Sequence, residues 1–417
     1  MNKGSMHITP VVTVFLAKEG KVMLARRSAQ VGTYRGAWAG IAGYVERLSL
    51  EQAYTELEEE AGLSKTDVVL RGIGVPVRVE DSELGRTWLV YPFLFEPLNV
   101  EKIVPDWEAD ELKWVEPEDL SVMPTVPGLV QVLASVWPPF GDDAFWNGLS
   151  EIATDTVHGA TYLAFSGLRL LEEYFERNLN GSLTRAVRAF AACRPSMGVF
   201  PHLAAKLLID QCSPGELARS LENAASKSAA YAAAALAPYK SILTISYSSA
   251  VKEAILRRNK VGDALRVIIM ESRPELEGVT LARELAEEGL HVTVITDTQM
   301  NLFISEVDAV IVGCDAITEQ DQLQNKVGTS LLVLAAHSHK VPCLAVSQTY
   351  KILPPGFPHT LEEQDPGKVG RCEGIKFRNI IFDLTPISEF DAVYTENGAL
   401  TSEDLSAIRS SLGAAKL

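Results

Sequence analysis

Three short apolar runs in the C-terminal half of the chain constrain its fold more than any other feature. They are Arg266–Met270, His291–Ile295 and Ala309–Val312, and the residues between them have the spacing of amphipathic helices. Uninterrupted runs of this length are typical of strands that are buried on both faces, as in parallel sheets with crossover helices. The sequence therefore predicts an α/β domain built on a doubly wound parallel sheet.

Polar residues follow the ends of these and neighbouring apolar runs. They are Ser246, Glu271, Asp315 and Lys351, and Asn325 with Lys326 is expected to open the next helix. Because the carboxyl ends of parallel strands meet at one edge of such a sheet, these side chains are expected to line one ligand-binding crevice. A carboxylate directly after an apolar run is hard to explain as core. A turn or cap role stays open for each residue taken alone.

The order of motifs in this region resembles one known superfamily. The motifs are ESRPELEG (271–278), VIVGCDAIT (310–318), NKVGT (325–329) and QTYK (348–351). The superfamily joins the alpha, beta and delta subunits of translation initiation factor 2B to isomerases of ribose 1,5-bisphosphate and methylthioribose 1-phosphate. The resemblance extends from about Asp155 to the C-terminus. It implies a helical subdomain followed by a Rossmann-like domain, through which two copies form a homodimer.

The resemblance also implies roles for individual residues. In the isomerases a cysteine and an aspartate move a proton between two sugar carbons, and these positions hold Ser246 and Asp315 here. A thiol has a pKa of about 8.5, whereas a serine hydroxyl needs an activating base, so the substitution argues against isomerisation. The residues that match the family's substrate-binding positions are Arg194, Asn325, Lys326 and Lys351. A lysine beside a helix start is expected to form an anion site with the free backbone N–H groups. The implied ligand is a phosphorylated ribose or nucleotide, without a cofactor.

An acidic helix is predicted in the N-terminal part, over LEQAYTELEEEAGL (50–63), with Gly62 as its left-handed cap. Glu56, Glu59 and Glu60 have i, i+3 and i+4 spacing and therefore share one face. Three such carboxylates repel one another unless a cation neutralises them, and the hard cation Mg²⁺, or Mn²⁺, prefers oxygen ligands. The alternative is a solvated acidic face.

The glycine-rich segment GAWAGIAGYVE (36–46) before this helix makes the region resemble a Nudix box. Nudix hydrolases use Mg²⁺ to cleave nucleoside diphosphates linked to another group. Thr55 stands where that family has an arginine, and Arg47 stands where it has a glutamate. The resemblance implies an α/β/α sandwich. This region is expected to catalyse weak or narrowly selective hydrolysis, or to sense a ligand in a metal-dependent way without turnover.

Composition limits the possible partners. The 417 residues have a formal net charge of −16 at pH 7, which argues against general binding to nucleic acids or anionic membranes, since both need clustered Lys and Arg. The five cysteines lack CxxC spacing, so no zinc site or disulfide framework is predicted and a reducing cytoplasm is expected. No apolar run has the length of a membrane-spanning helix, and no signal peptide is recognised.

The segment VWPPFGDDAFW (136–146) has the proline and glycine content of a linker. The predicted organisation is a Nudix-like α/β/α sandwich at 1–136, a linker at 137–148, a helical subdomain at 149–238 and a Rossmann-like parallel-sheet domain at 239–417.

Two classes of function are consistent with these features. The first is an enzyme: a Nudix hydrolase fused to a domain that binds a phosphorylated sugar or nucleotide, or that converts ribose 1,5-bisphosphate to ribulose 1,5-bisphosphate. The second is a non-catalytic regulatory protein similar to the initiation factor 2B subunits. Ser246 beside a retained Asp315 favours binding over isomerisation, whereas the three glutamates of the acidic helix keep hydrolysis open.

Overall fold

The computed structural model describes residues 8–178, 183–261, 264–413 and 417, and its chain divides into two compact units. The first unit contains the described residues up to Thr156 and those of Glu173–Pro195 and Glu363–Asp365. The second contains Val157–Glu172 and the described residues of Ser196–Glu362 and Pro366–Leu417. Each unit has its own mixed α/β fold, so the predicted fold class is confirmed.

The first unit is built around one mixed sheet. Its elements are β1 (Ile8–Lys18), β2 (Lys21–Arg27), β3 (Trp38–Ala39), β4 (Ile41–Tyr44), α1 (Ser49–Ala61), β5 (Val68–Ile73), β6 (Val77–Asp81), β7 (Arg86–Pro97), β8 (Ala109–Val115), α2 (Leu129–Ala134) and α3 (Asp143–Thr154). Helix α4 (Ala160–Arg177) contributes residues to both units, and α5 (Leu183–Cys193) belongs to the first.

Strand β1 lies at the centre of this sheet, whose order is β3-β2-β1-β7-β5. It pairs in parallel with β7 and antiparallel with β2 and β4. Phe15 and Ala17 pack in a cluster with Leu133 of α2, whereas the alternating residues Val14 and Leu16 are also buried. Because successive side chains of a strand point to opposite faces, both faces of this sheet are covered.

The predicted acidic helix is α1, and Gly62 ends it in the left-handed conformation, with φ 67° and ψ 18°. The segment predicted as a linker, 137–148, runs into α3, whose first turn is capped by the Asp142 carboxylate. The helices within the predicted segment 149–238 are divided between the two units. The predicted domain boundaries remain a proposal.

The second unit contains the predicted parallel strands with their predicted ends. Its further elements are α6 (Val199–Asp210), α7 (Pro214–Ala235), β9 (Ser241–Ile245), α8 (Ser249–Lys260), β10 (Arg266–Met270), α9 (Glu277–Glu287), β11 (His291–Ile295), α10 (Met300–Phe303), β12 (Ala309–Val312), β13 (Ala316–Ile317), β14 (Gln322–Lys326), α11 (Thr329–His339), β15 (Cys343–Val346), β16 (Phe382–Pro386), β17 (Ala392–Thr395), β18 (Gly398–Ala399) and α12 (Ser402–Leu412).

The main sheet of this unit has the order β11-β10-β9-β12-β15-β17-β18, and all pairs except β17–β18 are parallel. Alternate residues of each central strand enter different cores. In β10, Val267 packs with α7, α8 and α9, whereas Ile268 packs with α11 and α12. The order in which successive strands are added to the sheet reverses between β9 and β12, and ligands bind at such a point in doubly wound folds.

One sequence prediction about this unit is wrong. Asn325 and Lys326 do not open a helix but end β14, and α11 begins three residues later. The polar strand β14 pairs antiparallel with β13 and with β16, so that Asn325 lies opposite Asp383. Because β16 is distant in sequence, no local pattern reveals this small sheet. Gly328, with φ 105°, reverses the chain between β14 and α11.

Candidate functional site

A cavity of about 610 Å³ lies in the first unit and contains most of the predicted metal face. Glu56 and Glu59 of α1 line it, together with Glu108, which directly precedes β8. Glu60 is not among its lining residues but accepts a hydrogen bond from the backbone N–H of Ala42, at 3.2 Å. The cavity therefore has one acidic wall.

Glu56 is held firmly at this wall. Its carboxylate accepts a 2.7 Å hydrogen bond from the Gln52 side chain, whose own oxygen accepts from the backbone of Glu46. A Cβ at Gly43 would lie 1.8 Å from the nearer Glu56 oxygen, so the carboxylate can occupy this position only because residue 43 is glycine. The glycine-rich segment of the sequence therefore serves to admit Glu56.

The pKa values of three carboxyl groups at this wall are raised, so these groups lose their protons less readily than a carboxyl group in water. The pKa of Glu60 is raised to about 9, chiefly by burial, with the carboxylates of Glu56, Glu108 and Asp106 contributing and the hydrogen bond from Ala42 opposing the shift. Burial also raises the pKa of Glu56, with Glu59 and Glu108 adding to it, against the hydrogen bond from Gln52. Burial likewise raises the pKa of Glu108. A nearby cation would relieve this mutual repulsion.

The oxygen donors suit Mg²⁺ or Mn²⁺, since both prefer carboxylate ligands. In the described parts of the chain, however, no group of three or more His, Cys, Asp or Glu side chains is arranged to hold a metal ion. Glu56 accepts a hydrogen bond from Gln52 and Glu60 accepts one from Ala42, and the Glu56 and Glu60 side chains also lie within hydrogen-bond range of each other. Glu59 is exposed and can rotate toward the other two.

The two positions that depart from the Nudix pattern both line the cavity. The hydroxyl of Thr55 donates to the Glu51 carbonyl within α1, at 3.1 Å, and is therefore not used to orient a glutamate. Arg47 lies just before α1 and brings a positive charge to the acidic wall.

The rest of the cavity is aromatic and apolar. Tyr34, Tyr44, Trp88 and Trp107 line it with several valines. The Trp88 indole donates a 3.0 Å hydrogen bond to the Tyr34 hydroxyl, which in turn donates to Asp81. Burial, with the hydrogen bond to Asp81, raises the pKa of Tyr34 to about 12. The fixed Trp88 ring offers a surface on which a planar ligand can stack.

In the second unit, Ser246 follows β9 directly at the point where the strand order reverses. Its φ is 65°, which is unusual for a residue with a side chain, and its N–H donates to the Ser272 hydroxyl at 2.7 Å. Within the described parts of the chain, the Ser246 hydroxyl has no base as a hydrogen-bond partner. A serine in this setting has nothing to activate it as a proton carrier.

Asp315 lies at the end of the neighbouring strand β12, after Gly313 and Cys314. Its backbone is fixed on both sides, because its N–H donates to the Gln324 carbonyl and its carbonyl accepts from Gly198. Burial raises the pKa of the Asp315 carboxyl, while Lys351 and Lys326 oppose that shift. The ammonium of Lys351 donates to the Cys314 carbonyl, one residue from Asp315.

Asn325 and Lys326 complete this group at the end of β14. The Asn325 amide donates to the Thr329 hydroxyl at 3.0 Å. Lys326 is almost fully buried and forms a 2.8 Å ion pair with Glu277, the first residue of α9. The second Glu277 oxygen is buried without a hydrogen-bond partner. Asp315 interacts electrostatically with Lys326 and Lys351. These residues lie in one unit with Asn325 and with Ser246, which follows β9 of the main sheet, whereas Asn325 and Lys326 belong to the small sheet and Lys351 to the turn after β15.

The expected anion site at the start of α11 is already filled by the protein. The Asp383 carboxylate accepts from the backbone N–H groups of Gly328 and Ser330 and from the Ser330 hydroxyl. A carboxylate in this position satisfies the free N–H groups of a helix start. The lysines therefore do not form an anion site together with this helix.

Arg194 is not part of the same group. It belongs to the first unit, where its guanidinium donates to the carbonyls of Ile152 and Asp155 at the end of α3. Its role in ligand binding remains a prediction.

Sequence reasoning missed four contributors to these sites: Glu108, Gln52, Glu277 and Asp383. Gln52 lies four residues before Glu56, so helical spacing could have identified it. Glu277 meets Lys326 across 49 residues, and Asp383 meets Ser330 across 53, and neither separation has a local signal.

Comparison with known proteins follows the same division of the chain. A sequence profile of the NUDIX domain matches residues 6–136, and a profile of the Initiation factor 2 subunit family matches residues 205–402. No helix in the described ranges has both the length and the apolar character needed to cross a membrane.

Individual relatives match the C-terminal part. The chain is 33% identical over 263 residues to a putative translation initiation factor eIF-2B subunit 2-like protein of Pyrococcus horikoshii, which covers 60% of this chain and 94% of that protein. It is 39% identical over 169 residues to a ribose 1,5-bisphosphate isomerase of Archaeoglobus fulgidus, covering 39% of this chain and 54% of the isomerase. The crystal structure of the Pyrococcus horikoshii OT3 translation initiation factor eIF-2B superposes with a TM-score of 0.57 at 30% identity, covering 64% of this chain and all of that one.

Proposed function

The chain belongs to the initiation factor 2 subunit family and carries a NUDIX domain, and on this basis we propose that its first unit hydrolyses a nucleoside-diphosphate-type compound with Mg²⁺ or Mn²⁺. Its second unit binds a phosphorylated sugar or nucleotide at the strand ends without isomerising it.

The observation that carries the hydrolase proposal is the acidic wall of the 610 Å³ cavity. Glu56, Glu59 and Glu60 are the residues that would hold the metal. A bound divalent cation would stabilise the charge that develops on the phosphate oxygens. The residues of the chain position the ligand: Gln52 fixes Glu56, and the Trp88 and Tyr44 rings face a planar base. Pockets of a few hundred Å³ lined in this way are typical of small-molecule sites.

Hydrolysis would add water to one phosphorus of the diphosphate and break the bond to the bridging oxygen, which leaves with a proton. ADP-ribose, a nucleoside diphosphate linked to a sugar, is a suitable first probe, with release of AMP as the readout. We expect Mg²⁺-dependent release that falls about 100-fold in Glu56→Gln. Glu58→Gln is the matched control, because Glu58 lies exposed on the same helix and does not line the cavity. Equal activity in both variants would remove α1 from the mechanism.

Binding without isomerisation in the second unit rests on Ser246. Its hydroxyl lacks a base, whereas Asp315, Asn325, Lys326 and Lys351 form a polar group that a phosphorylated ligand could join. Ribose 1,5-bisphosphate is the probe suggested by the isomerase relatives. We expect thermal stabilisation of the wild type by this compound without turnover, and a gain of turnover in Ser246→Cys that Asp315→Asn abolishes. Turnover by the wild type would instead support an active isomerase.

A homodimer through the second unit is the proposed assembly. The middle of helix α11 is apolar on its outer side as well as its inner side, because Leu331 and Leu334 are exposed there, and the contacting helix α10 exposes Leu302. Exposed leucines that lie together in this way are typical of a surface covered by a partner. Light scattering at rising protein concentration should give a dimer, and the double change Leu331→Glu and Leu334→Glu should give a monomer. A wild-type monomer at all concentrations would refute the assembly.

A further inference from the structure

Arg47 lines the first cavity, and the resemblance to the Nudix box does not explain its presence there. The family pattern has a glutamate at this position, so the charge is reversed in this chain. The side chain lines the cavity beside Gln52, Glu56 and Glu59. A change from an anion to a cation at the wall of a ligand cavity alters which ligands the cavity can accept.

The guanidinium has a buried donor without an acceptor. The Nε atom of Arg47 is closed off from solvent, and among the described residues it has no hydrogen-bond partner. Arg47 also forms no ion pair there, although Glu46, Glu56 and Glu59 line the same cavity. A buried N–H without a partner is unfavourable by an amount comparable to a lost hydrogen bond, and native structures rarely leave one in place. Because Arg47 lines the cavity, a ligand bound in the cavity can supply the acceptor that the protein lacks here.

The chemistry of that acceptor follows from the donor. A guanidinium presents several N–H groups in a planar fork that matches the oxygens of a phosphate or carboxylate. The acidic wall disfavours an anion unless it is bound directly by a cation, and Arg27, the other arginine that lines the cavity, already donates to the Thr33 carbonyl. The aromatic wall formed by Trp88 and Tyr44 accepts an uncharged planar group.

We infer that Arg47 binds a phosphate group of the ligand in the first cavity and thereby selects phosphorylated over unphosphorylated nucleosides. This inference rests on the proposed function for the location of the ligand but not on hydrolysis. Arg47 binds this phosphate directly, at a position where the family has a carboxylate. The base of the same ligand stacks on the aromatic wall.

The test is binding to the full chain, measured by isothermal titration calorimetry in EDTA, with ADP and adenosine as the two probes. Arg47→Ala should weaken ADP binding about 10- to 100-fold, as expected for loss of charged hydrogen bonds, and leave adenosine binding unchanged. Arg47→Lys should lie between the two, because lysine keeps the charge but loses the fork. Arg78→Ala is the control, since Arg78 is exposed on β6 and does not line the cavity.

The possible results separate the role of Arg47 from the hydrolase proposal. Equal losses for ADP and adenosine in Arg47→Ala would show a structural role for Arg47 and overturn the inference, as would ADP binding that no Arg47 variant changes or a wild type that binds neither probe. If ADP binding depends on Arg47 while the wild type fails to hydrolyse ADP-ribose, the inference stands and the hydrolase proposal fails. Should Arg47→Ala fold poorly, Arg47→Lys and Arg47→Gln make the same comparison.

Discussion

The two candidate sites balance their charges in opposite ways. In the first unit, burial is the main cause that raises the pKa of Glu56, Glu60 and Glu108, and neighbouring carboxylates add to each shift. Arg27 opposes it only at Glu108. In the second unit, the buried Lys326 has Glu277 as a partner, and the Lys351 ammonium lies at the Cys314 carbonyl. The first site brings like charges together, whereas in the second site the charge of Lys326 is balanced by Glu277.

This difference suggests different uses. Carboxylates held together against their repulsion lower the stability of the protein and attract a cation. Charges that are paired within the protein keep a binding surface in shape before the ligand arrives. The first site is therefore suited to metal-dependent chemistry, and the second to recognition by preformed groups.

The largest effect is expected from Gly43→Ala. The new Cβ would lie 1.8 Å from Glu56, so the carboxylate must leave the acidic wall. Release of AMP from ADP-ribose should fall about 100-fold, similar to the loss of one electrostatic catalytic group. The control is Gly141→Ala, where a Cβ meets nothing within 4 Å. Normal kcat in Gly43→Ala would show that the position of Glu56 is unimportant.

The paired site should lose stability when one partner is removed. Glu277→Leu leaves the buried Lys326 ammonium without its carboxylate and should lower the free energy of unfolding by about 2 kcal/mol, less than for a fully buried pair because Glu277 is partly exposed. Urea denaturation measures this change. Glu287→Leu, exposed near the end of the same helix, should have little effect. A Glu277→Leu protein as stable as the wild type would contradict the idea that this site is neutralised by pairing.

The repelling site should respond with the opposite sign. The pKa of Glu60 is raised from 4.5 to about 9, so between these values the folded protein binds a proton that the unfolded chain releases. Stability contributed by this group is therefore present at low pH and falls as pH rises through that window. Glu60→Gln removes the dependence and should raise the free energy of unfolding at pH 8 by about 1 kcal/mol.

Thermal unfolding of wild type, Glu60→Gln and Glu58→Gln at pH 6 and pH 8 tests this sign. The gain in melting temperature should appear only in Glu60→Gln and should be larger at pH 8 than at pH 6. A loss of stability in that variant would mean that Glu60 is stabilising as an anion, and the contrast between the two sites would disappear.

The smallest effect is expected from Thr55→Arg. The Thr55 hydroxyl is bonded within α1, so the cavity gains a cation without losing a contact to another element. A guanidinium beside Glu56 and Glu59 should reduce their repulsion and raise the rate of AMP release about two- to fivefold. Thr55→Gln, which has a similar chain without the charge, should give no gain. An equal gain in both variants would assign the effect to packing.

Local patterns predicted the local parts of the structure. The strands β10, β11 and β12 were recognised from uninterrupted apolar runs, and Gly62 from its position after a helical run. The expected burial on both faces is wrong for β11, which lies at the sheet edge and buries only Ile295. The shared face of Glu56, Glu59 and Glu60 follows from helical geometry alone. Their convergence on a metal does not follow, because it depends on the rotamers that Gln52 and Ala42 impose.

Long-range pairing explains what the sequence could not reveal. The strand β14 is polar, so its residues suggested a helix start, and only its pairing with β16 makes Asn325 and Lys326 part of a sheet. The partners of Lys326 and of the α11 N-terminus lie about fifty residues away in sequence. Arg194 was grouped with the second site by its motif, but the fold places it in the first unit.

The interleaving of the two units along the chain has a consequence for synthesis on the ribosome. Residues 157–172 belong to the second unit, yet the first unit also contains Glu173–Pro195 and Glu363–Asp365, which emerge later. An emerging chain therefore carries α1 to α3, including the buried Phe145 and Trp146, before α5 is available to join them. A nascent chain of this length exposes apolar surface that the complete first unit covers. We therefore expect chaperones to bind the protein at this stage of synthesis.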